Sequence, residues 1–478
     1  MFSKTFKRGI HPPGGKHLSA NMPIRAIEAV GEMVYPLSQH IGAPSTPIVT
    51  VGETVLAGQK IAEASGFVSA PVYSAVSGKV KAIAPHITSS GETAPCIIIE
   101  NDGQHTWIHD TLRPDYPDRS DPDYVAKLLA EEKVKEMTSA DIRNAVREAG
   151  LVGLGGAGFP AAVKLTPPDD EKIEYVIING AECEPYLTSD YRLMLERGGE
   201  LLAGCSLILR LFPNAKCLIG IEDNKPEAIK SLTEKAKSCE RITVVPLKAK
   251  YPQGGERMLI YALTKRKLNS TLLPSHVGCI VVNVATAISV FRAVTLGQPL
   301  THRIMTVTGD AVAAPCNLEV PIGMSYERVV EAAGGFTADA DPEKVITGGP
   351  MMGTALYTTG IPVTKTSASV LAYRRDPVAV DDPTACIHCG RCLSACPEHL
   401  VPQHLSHAAE HDDFDQFEKY GGMECIECGS CAYVCPAKRH LVQSMRYGKR
   451  KTGAIIRARK TAEAAKAAEA SEKGGKKE

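Results

Sequence analysis

The sequence predicts a multidomain α/β protein. Its 478 residues are enough for three or four domains. In the middle of the chain, short apolar strands alternate with helical segments, as in a mostly parallel sheet. β-Rich stretches lie on both sides of this part, and cysteines at regular spacing follow. We therefore expect domains at residues 1–115, 116–300, 301–372 and 373–447, and a basic, alanine-rich tail at residues 448–478.

The first 115 residues are predicted to form a β-rich domain. β-Branched runs at residues 49–59, 70–82 and 96–100 are separated by glycine turns. The segments at residues 51–55 and 70–80 resemble the two halves of the biotinyl and lipoyl barrel-sandwich fold. Carrier domains of that fold display a modified lysine between the halves, but residues 64–68 contain no lysine. We interpret the domain as a scaffold.

A stiff, polar loop occupies residues 11–17, upstream of these strands. Its histidines, prolines, glycines and lysine suit contact with a partner or a phosphate. An ordinary surface loop is the equal alternative.

A Rossmann-like α/β domain is predicted for residues 116–300. Helical patterns at residues 124–136 and 139–149 come first, and the predicted strands are residues 175–179, 216–222, 242–247 and 278–282. Polar clusters follow at residues 179–185, 254–256 and 283–286. Because ligands bind beyond the carboxyl ends of strands in such sheets, this edge is a candidate cofactor crevice.

A glycine-rich loop between the helices and the first of these strands is a second candidate binding feature. Gly153, Gly155, Gly156 and Gly158 would let the backbone approach a flat or phosphorylated ligand, and Lys164 could neutralise a phosphate. A helix precedes the loop, so it does not match the dinucleotide fingerprint, which follows a strand. A tight structural turn is the alternative.

Residues 301–372 return to strands around one helix. The strands are predicted at residues 303–308, 317–321 and 344–347 and the helix at 326–333, which indicates a small β-grasp domain, SLBB-like in type.

The tail at residues 448–478 carries ten Lys or Arg against four Glu, a net charge of +6 (ten minus four). We expect it to be solvated and frayed. Contact with anionic lipid or a partner and simple disorder are both open.

Eight cysteines predict iron–sulfur chemistry. Two runs share x2, x2 and x3 spacing with a following proline: Cys386, Cys389, Cys392 and Cys396, then Cys425, Cys428, Cys431 and Cys435. In such runs the fourth cysteine ligates the other cluster. One [4Fe-4S] cluster is therefore assigned to Cys386, Cys389, Cys392 and Cys435, and the second to Cys425, Cys428, Cys431 and Cys396. Zinc sites normally use separated ligand pairs, and disulfide frameworks belong to small secreted domains, so both alternatives are disfavoured.

Charge and hydropathy disfavour two other classes, nucleic-acid-binding proteins and membrane-spanning proteins. Lys plus Arg equals Asp plus Glu, 54 of each, so the overall charge does not favour nucleic-acid binding. The sequence shows no signal peptide and no apolar run long enough to span a bilayer. We therefore expect reduced thiols in the cytoplasm and only peripheral membrane association.

The motifs together carry a family resemblance. The glycine-rich loop with Lys164, the NGAECEP segment at residues 179–185 and the segment at 283–286 resemble the FMN- and NADH-binding subunit of respiratory complex I. The eight-cysteine module resembles bacterial two-cluster ferredoxins. The order of the four domains and the opening segments at residues 6–12 and 36–42 are similar to the C subunit of the Rnf electron-transport complex. This resemblance covers all but about the last thirty residues.

The resemblance implies FMN and NADH sites. By position, the residues that would hold FMN are Gly153, Gly155, Gly156, Gly158, Lys164, Asn179, Asn283 and Thr286. Glu182 and Glu256 would lie near the nicotinamide as the catalytic pair, and Phe159 would stack against the nucleotide. Leu154 and Ala181 depart from the complex I pattern, which has arginine and an acidic residue there.

An electron path follows from the same resemblance. Electrons would pass from NADH through FMN and both clusters to a partner, with ferredoxin as the redox partner of a bacterial membrane complex whose other subunits move ions. The chain would lie on the cytoplasmic face of the cell membrane. A soluble cobalamin reductase of the same family and a non-enzymatic relay and docking protein are the alternatives.

Overall fold

The computed structural model describes residues 3–117, 123–170, 172–338, 341–376, 378 and 380–474, with side chains up to residue 466. It confirms the predicted fold class. The β-rich, α/β, β-grasp and cysteine-rich domains follow one another in the predicted order.

The N-terminal domain is built from two small antiparallel sheets. Its strands are β1 (Ile24–Ala26), β2 (Glu32–Pro36), β3 (Thr46–Pro47), β4 (Thr54–Val55), β5 (Lys60–Glu63), β6 (Val72–Tyr73), β7 (Gly78–Ile87) and β8 (Thr93–Asn101). The sheets have the orders β2-β8-β7-β4 and β3-β5-β6, and they enclose buried Tyr35, Ile61 and Ile97. The connection between β5 and β6, where carrier domains display lysine, exposes Phe67 instead.

The α/β domain is a four-stranded parallel sheet of order β11-β10-β9-β12. Helices cover the sheet, so its strands are almost wholly apolar. Its elements are α1 (Tyr124–Ala130), α2 (Glu132–Glu136), α3 (Ser139–Glu148), α4 (Ala161–Lys164), β9 (Tyr175–Gly180), α5 (Ser189–Glu196), α6 (Gly198–Leu211), β10 (Lys216–Glu222), α7 (Pro226–Lys235), β11 (Ile242–Leu247), α8 (Glu256–Thr264), β12 (Cys279–Asn283) and α9 (Val284–Leu296). The helix predicted at residues 124–136 is two helices, because Glu131 adopts an extended ψ of 133°.

The β-grasp domain contains one six-stranded mixed sheet of order β1-β14-β13-β17-β15-β16. Its elements are β13 (His302–Thr308), β14 (Cys316–Pro321), α10 (Tyr326–Ala332), β15 (Lys344–Thr347), β16 (Thr354–Leu356) and β17 (Ser369–Tyr373). The strand β1 comes from the N-terminal segment and pairs in parallel with β14. The first and third domains therefore share a sheet.

The cysteine-rich domain is helical. Its helices are α11 (Arg391–Ala395), α12 (Pro402–Glu410), α13 (Phe414–Lys419), α14 (Ser430–Tyr433) and α15 (Leu441–Gly474). Gly390 and Gly429 take φ values of 71° and 81° just before α11 and α14, a conformation that permits the tight turns between the cysteines.

The helix α15 runs through the predicted boundary between residues 447 and 448. Gly448 packs so closely on Phe417 that a Cβ atom would lie 2.5 Å from its ring, and Thr452 is buried. Arg459 pairs with Glu418 at 2.9 Å. The first part of the expected loose tail is therefore packed on the cysteine-rich domain, because α12 and α13 offer it a partner.

An N-terminal arm, residues 3–10, joins the α/β domain to the cysteine-rich domain. Lys4 lies beside Leu247 at the edge of the parallel sheet, and Ile10 exchanges two backbone hydrogen bonds of 2.9 Å with Tyr251. The amide of Gly9 donates to the Ala395 carbonyl at 3.1 Å. The arm thus holds the cysteines next to the sheet edge. Within the described residues, no helix has the length and apolar character required to cross a bilayer.

Candidate functional site: a cofactor cavity and two cysteine cavities

A cavity of about 400 Å³ lies beyond the carboxyl ends of the parallel strands, at the edge where the sequence predicts a crevice. The segments that follow β9, β11 and β12 form most of its wall. Arg303 and Met352 reach it from the β-grasp domain, and Ile426 and Cys428 reach it from the cysteine-rich domain. Three domains therefore build one cavity.

The predicted site residues divide into two groups. Gly155, Asn179, Glu182, Glu256 and Asn283 line the cavity. The others lie outside its lining, namely Gly153, Gly156, Gly158, Phe159, Lys164 and Thr286.

Two residues of the second group stabilise the cavity wall through hydrogen bonds. The hydroxyl of Thr286 accepts from the Leu154 amide at 2.9 Å and so anchors the glycine-rich loop. The ammonium of Lys164 donates to Glu256 Oε1 at 3.0 Å and to the Val281 carbonyl at 3.1 Å.

The glycine-rich loop closes on itself. The Gly153 amide donates to the Phe159 carbonyl at 2.8 Å, and the Gly158 amide donates to the Gly153 carbonyl at 3.2 Å. Gly158 has φ 65°, and a Cβ atom there would lie 2.5 Å from Thr366. It is therefore needed for packing. Gly155, by contrast, is exposed beside Asn283 and presents bare backbone to the cavity.

Two asparagines tie the strand ends together. The side chain of Asn283 caps α9 by accepting from the Ala285 amide at 2.9 Å, and its amide donates to Asp190 at 2.7 Å. Asn179 donates to the Gly254 carbonyl at 2.8 Å. These bonds fix the three polar segments relative to one another.

Two buried glutamates carry unusual ionisation behaviour. Glu182 sits at φ 48°, and its side chain is only 3% exposed. Its Oε1 accepts from the Asp190 amide at 2.7 Å, whereas Oε2 is buried without a hydrogen-bond partner and lies 3.9 Å from Lys16 Nζ. Burial raises the pKa of Glu182 to about 7, against the opposing influence of Lys16. Burial also raises the pKa of Glu184 to about 7, although its carboxylate accepts from the Met351 and Met352 amides. Shifted carboxylates of this kind are common in functional clefts.

Two cations at the site have no sequence signal that indicates their contacts there. Arg303 is buried, donates to the Leu154 and Ser367 carbonyls at 2.9 Å each, and lines the cavity. Burial lowers its pKa to about 10, so it stays charged at neutral pH.

Lys16 belongs to the loop at residues 11–17, for which the sequence allows contact with a partner, contact with a phosphate or an ordinary surface loop. Its ammonium donates to the carbonyls of Glu182, Glu184 and Leu187 at 2.9, 2.9 and 2.6 Å. No pattern in the neighbouring sequence indicates the contacts of Arg303 or Lys16, because each of these residues lies in a different domain from the loop that it supports.

The residues of the cavity fit a flavin mononucleotide. Gly155, Gly254 and Gly255 leave room for a flat ring near the backbone, and the guanidinium of Arg303 suits an anionic ligand. Glu182 adds a carboxyl group to the same wall.

Two further cavities gather the eight cysteines. One cavity, about 810 Å³ in volume, is lined by Cys386, Cys389, Cys392 and Cys435. The other is lined by Cys396, Cys425, Cys428 and Cys431. Each cavity thus holds the four thiols that the sequence assigns to one cluster, and the donor sets suit two cubanes. Burial and then the neighbouring Cys425, Cys428 and Cys396 raise the pKa of the Cys431 thiol, which shows how closely the second set is grouped.

All eight cysteines are free thiols. Among the described residues, no three His, Cys, Asp or Glu side chains converge tightly enough for a single metal ion. A cubane differs from such a site because it distributes its four thiolates over several irons.

The cofactor cavity and the second cysteine cavity share a wall. Cys428 lines both of them. The hydroxyl of Tyr251, another cavity residue, donates to the Cys428 carbonyl at 2.7 Å. The first cysteine set lies nearer the surface, where Cys389 is exposed and Ile387 is 65% exposed. We call the set with Cys428 the inner set and the set with Cys389 the outer set.

Family models match all four domains. The matches are the RnfC barrel sandwich hybrid domain at residues 4–104, the Nuo51 FMN-binding domain at residues 146–292, the SLBB domain at residues 304–355 and the 4Fe-4S dicluster domain at residues 379–436. They confirm FMN and two [4Fe-4S] clusters as the cofactors of the chain.

A solved structure of an NAD+-reducing [NiFe]-hydrogenase in the air-oxidized state is similar over 67% of this chain and 65% of that chain. The TM-score is 0.50 and the identity 23%, so this likeness shows a shared fold.

Relatives match almost the full chain. The C subunit of the Na+-translocating ferredoxin:NAD+ oxidoreductase complex of Acetobacterium woodii is 42% identical over 93% of this chain and 96% of the relative. The C subunit of the proton-translocating ferredoxin:NAD+ oxidoreductase complex of Clostridium ljungdahlii is 42% identical over 93% of each chain. Identity at this level over such coverage, with the matching domain order, shows that the chain belongs to the RnfC family, the C subunits of ion-translocating oxidoreductase complexes.

Proposed function

We propose that this chain is the peripheral, NADH-oxidising electron-transfer subunit of an ion-translocating membrane complex that connects NADH with ferredoxin. The observation that carries the proposal is the shared wall, because Cys428 belongs to both the cofactor cavity and the inner cysteine set. The relatives supply the partners, since their names describe subunits of ferredoxin:NAD+ oxidoreductase complexes.

The roles of the cofactors follow from their chemistry. Bound FMN connects a two-electron hydride donor with one-electron acceptors, and [4Fe-4S] clusters carry single electrons. NADH oxidation releases NAD+, one proton and two electrons, which leave one at a time.

The chain's residues are assigned as follows. Gly155 offers open backbone to the flavin at the cavity wall, and Gly156 continues the loop beside it, while Gly153, Gly158 and Thr286 shape the loop from behind. Asn179 and Asn283 fix the strand ends. Glu182 and Glu256 face the nucleotide, and Lys164, bound to Glu256, orients it; Phe159 remains the proposed stacking residue. The assignment of Gly155, Asn179, Glu182, Glu256 and Asn283 is supported by their place in the cavity wall, and that of Thr286 and Lys164 by their bonds to it.

The two cysteine sets act in sequence. The inner set exchanges electrons with the flavin because it borders the cofactor cavity, and the outer set exchanges them with a partner protein because it reaches the surface. The crossed ligand sets are supported by the two cavities that the cysteines line.

Attachment to the membrane is proposed to depend on the other subunits of the complex, with this chain on the cytoplasmic face. Part of the basic tail is occupied by contacts with its own cluster domain, which leaves less of it for lipid. Removing residues 461–478 should leave the protein on membranes that contain the partner subunits, even after a wash at high salt. Complete release at physiological salt would contradict this attachment.

The decisive experiment is anaerobic purification followed by measurement of iron, flavin and NADH:viologen reductase activity. We expect about eight irons and one FMN per chain. Gly155→Val should lose flavin and activity and keep its iron, because the side chain enters the cavity beside Asn283. Gly360→Val adds the same side chain at a site with ordinary φ in the β-grasp domain and should keep both cofactors. Full flavin occupancy in Gly155→Val would refute the assignment of the cavity.

A further inference from the structure

A lysine of the predicted tail reaches the loop of the inner cysteine set. The helix α15 places Lys449 Nζ 2.7 Å from the Cys425 carbonyl, to which it donates a hydrogen bond. The side chain is only 24% exposed, so water shields its charge incompletely. The sequence assigns this residue to a tail with a lipid or a partner as its expected contact. In the structure it contacts a cysteine loop of its own chain.

Lys449 belongs to a group of three charged side chains beside the cysteine loop. Glu427, two residues after Cys425, lies 2.9 Å from Lys449 Nζ and 3.2 Å from Arg446 Nε. Two cations therefore share one carboxylate, and these three side chains together carry a net charge of +1 (two minus one). The contact of Gly448 with Phe417 and the burial of Thr452 hold this stretch of α15 in place. The charge is thus fixed in position.

We propose that Lys449 raises the reduction potential of the cluster held by Cys396, Cys425, Cys428 and Cys431. Reduction adds one negative charge to the cluster, and a fixed cation with little shielding stabilises that more negative state. Lys449 acts through the cysteine loop and is a positioning residue in this respect. The inference rests on the proposed function, because it needs a cluster at the inner set.

A higher reduction potential makes the inner cluster a better acceptor of electrons from the flavin. The carboxylates of Glu398 and Glu424 also lie in this region, but they share Arg257 at 3.4 and 2.9 Å. Lys449 bonds directly to the backbone of a cysteine in the inner set.

The test is a redox titration of the full-length, anaerobically purified protein, followed by electron paramagnetic resonance of both reduced clusters. In Lys449→Met the equilibrium constant for reduction of the inner cluster should fall about tenfold, which is 59 mV for one electron. The outer cluster should shift less. Lys449→Arg should stay near the wild type because it keeps the charge.

Two further variants separate charge from structure. Lys449→Gln retains a hydrogen-bond donor for the Cys425 carbonyl but not the charge, and it should show the same fall as Lys449→Met. Lys451→Met removes an equal charge two residues away, where Nζ lies 5.7 Å from the centre of the Tyr447 ring, and should leave both potentials in place.

Three outcomes would contradict the inference or the function on which it rests. An unchanged inner potential in Lys449→Gln, with iron retained, would overturn the inference. An equal shift in Lys451→Met would also overturn it, because the effect would then belong to the overall charge of the helix. A wild-type protein without iron would refute the proposed function itself, and that result is visible before any variant is titrated.

Discussion

Lys16 provides the most direct test of how the cofactor cavity is held together. Its ammonium donates to three carbonyls of the segment that carries Glu182 and Glu184, and it comes from a different domain. In Lys16→Met the apolar stem remains and the three donors disappear. We expect the segment to loosen, since three partly buried acceptors lose their partner.

The size of the effect can be worked out from these contacts. Each buried acceptor left without a donor costs about 1–3 kcal/mol, or about 3–9 kcal/mol for the three. Against this stands the cost of burying the lysine charge, which lowers the pKa of Lys16 from 10.5 to about 8. That lowering corresponds to about 3 kcal/mol at neutral pH, which the variant recovers. The net loss is about 0–6 kcal/mol, and its midpoint of about 3 kcal/mol is equivalent to roughly a hundredfold weaker binding of FMN if the segment must be ordered for binding.

The assay is equilibrium dialysis of FMN against the anaerobic protein, with iron content as an internal control. Lys16→Met should lose affinity for FMN and keep its iron, and the exposed Lys7→Met should lose neither. Removal of Lys16 also removes the strongest influence that opposes the burial of Glu182, so the pKa of Glu182 should rise above its value of about 7. An unchanged FMN affinity in Lys16→Met would refute the reasoning.

Two other predictions concern the clusters and the pH dependence. Cys396→Ser should damage the cluster of Cys425, Cys428 and Cys431 more than that of its own run, because Cys396 lines the inner cavity; spectroscopy that shows the reverse would contradict the crossed assignment. Lys365 is buried, donates to the Pro71 and Gly150 carbonyls at 2.6 and 2.8 Å, and has its pKa lowered by burial to about 7. Since the folded pKa lies below the ordinary value of 10.5, the stability from neutral Lys365 is present above pH 10.5 and is lost as the pH falls towards 7. The Tm of Lys365→Met relative to the wild type should therefore rise as the pH falls from about 10 to 7, and a constant difference would contradict the prediction.

Part of the site was predictable because its signals are local. The eight cysteines stand close together along the chain, and their spacing predicts cubane ligation without any knowledge of the fold. The strands predicted at residues 216–222, 242–247 and 344–347 have the same bounds in the structure, since short β-branched runs bounded by turns have a clear pattern. The polar segments at the strand ends fell at one edge because the strands are parallel.

Other parts of the site depend on contacts between distant residues. Arg303 lies within a largely apolar strand, and no neighbouring residue in the sequence indicates that it lines a cavity of another domain. The strand β1 joins a sheet almost 300 residues further along the chain, and three residues are too few to show a pattern. Gly158 and Gly155 look alike in the sequence, yet one is packed against Thr366 and the other faces the cavity.

The sequence by itself determined the cofactor chemistry, the order of the domains and the edge of the sheet where the cofactor cavity lies. Spacing and periodicity along the chain are sufficient for these, because they reflect the geometry of single turns, strands and helices. Only the tertiary structure decided that Cys428 borders the cofactor cavity, that Lys16 holds the glutamate segment and that Lys449 points at the inner cysteines rather than outward. These arrangements depend on which surfaces pack together across domains, and hydrogen bonds between residues far apart in the chain leave no periodic trace in the sequence.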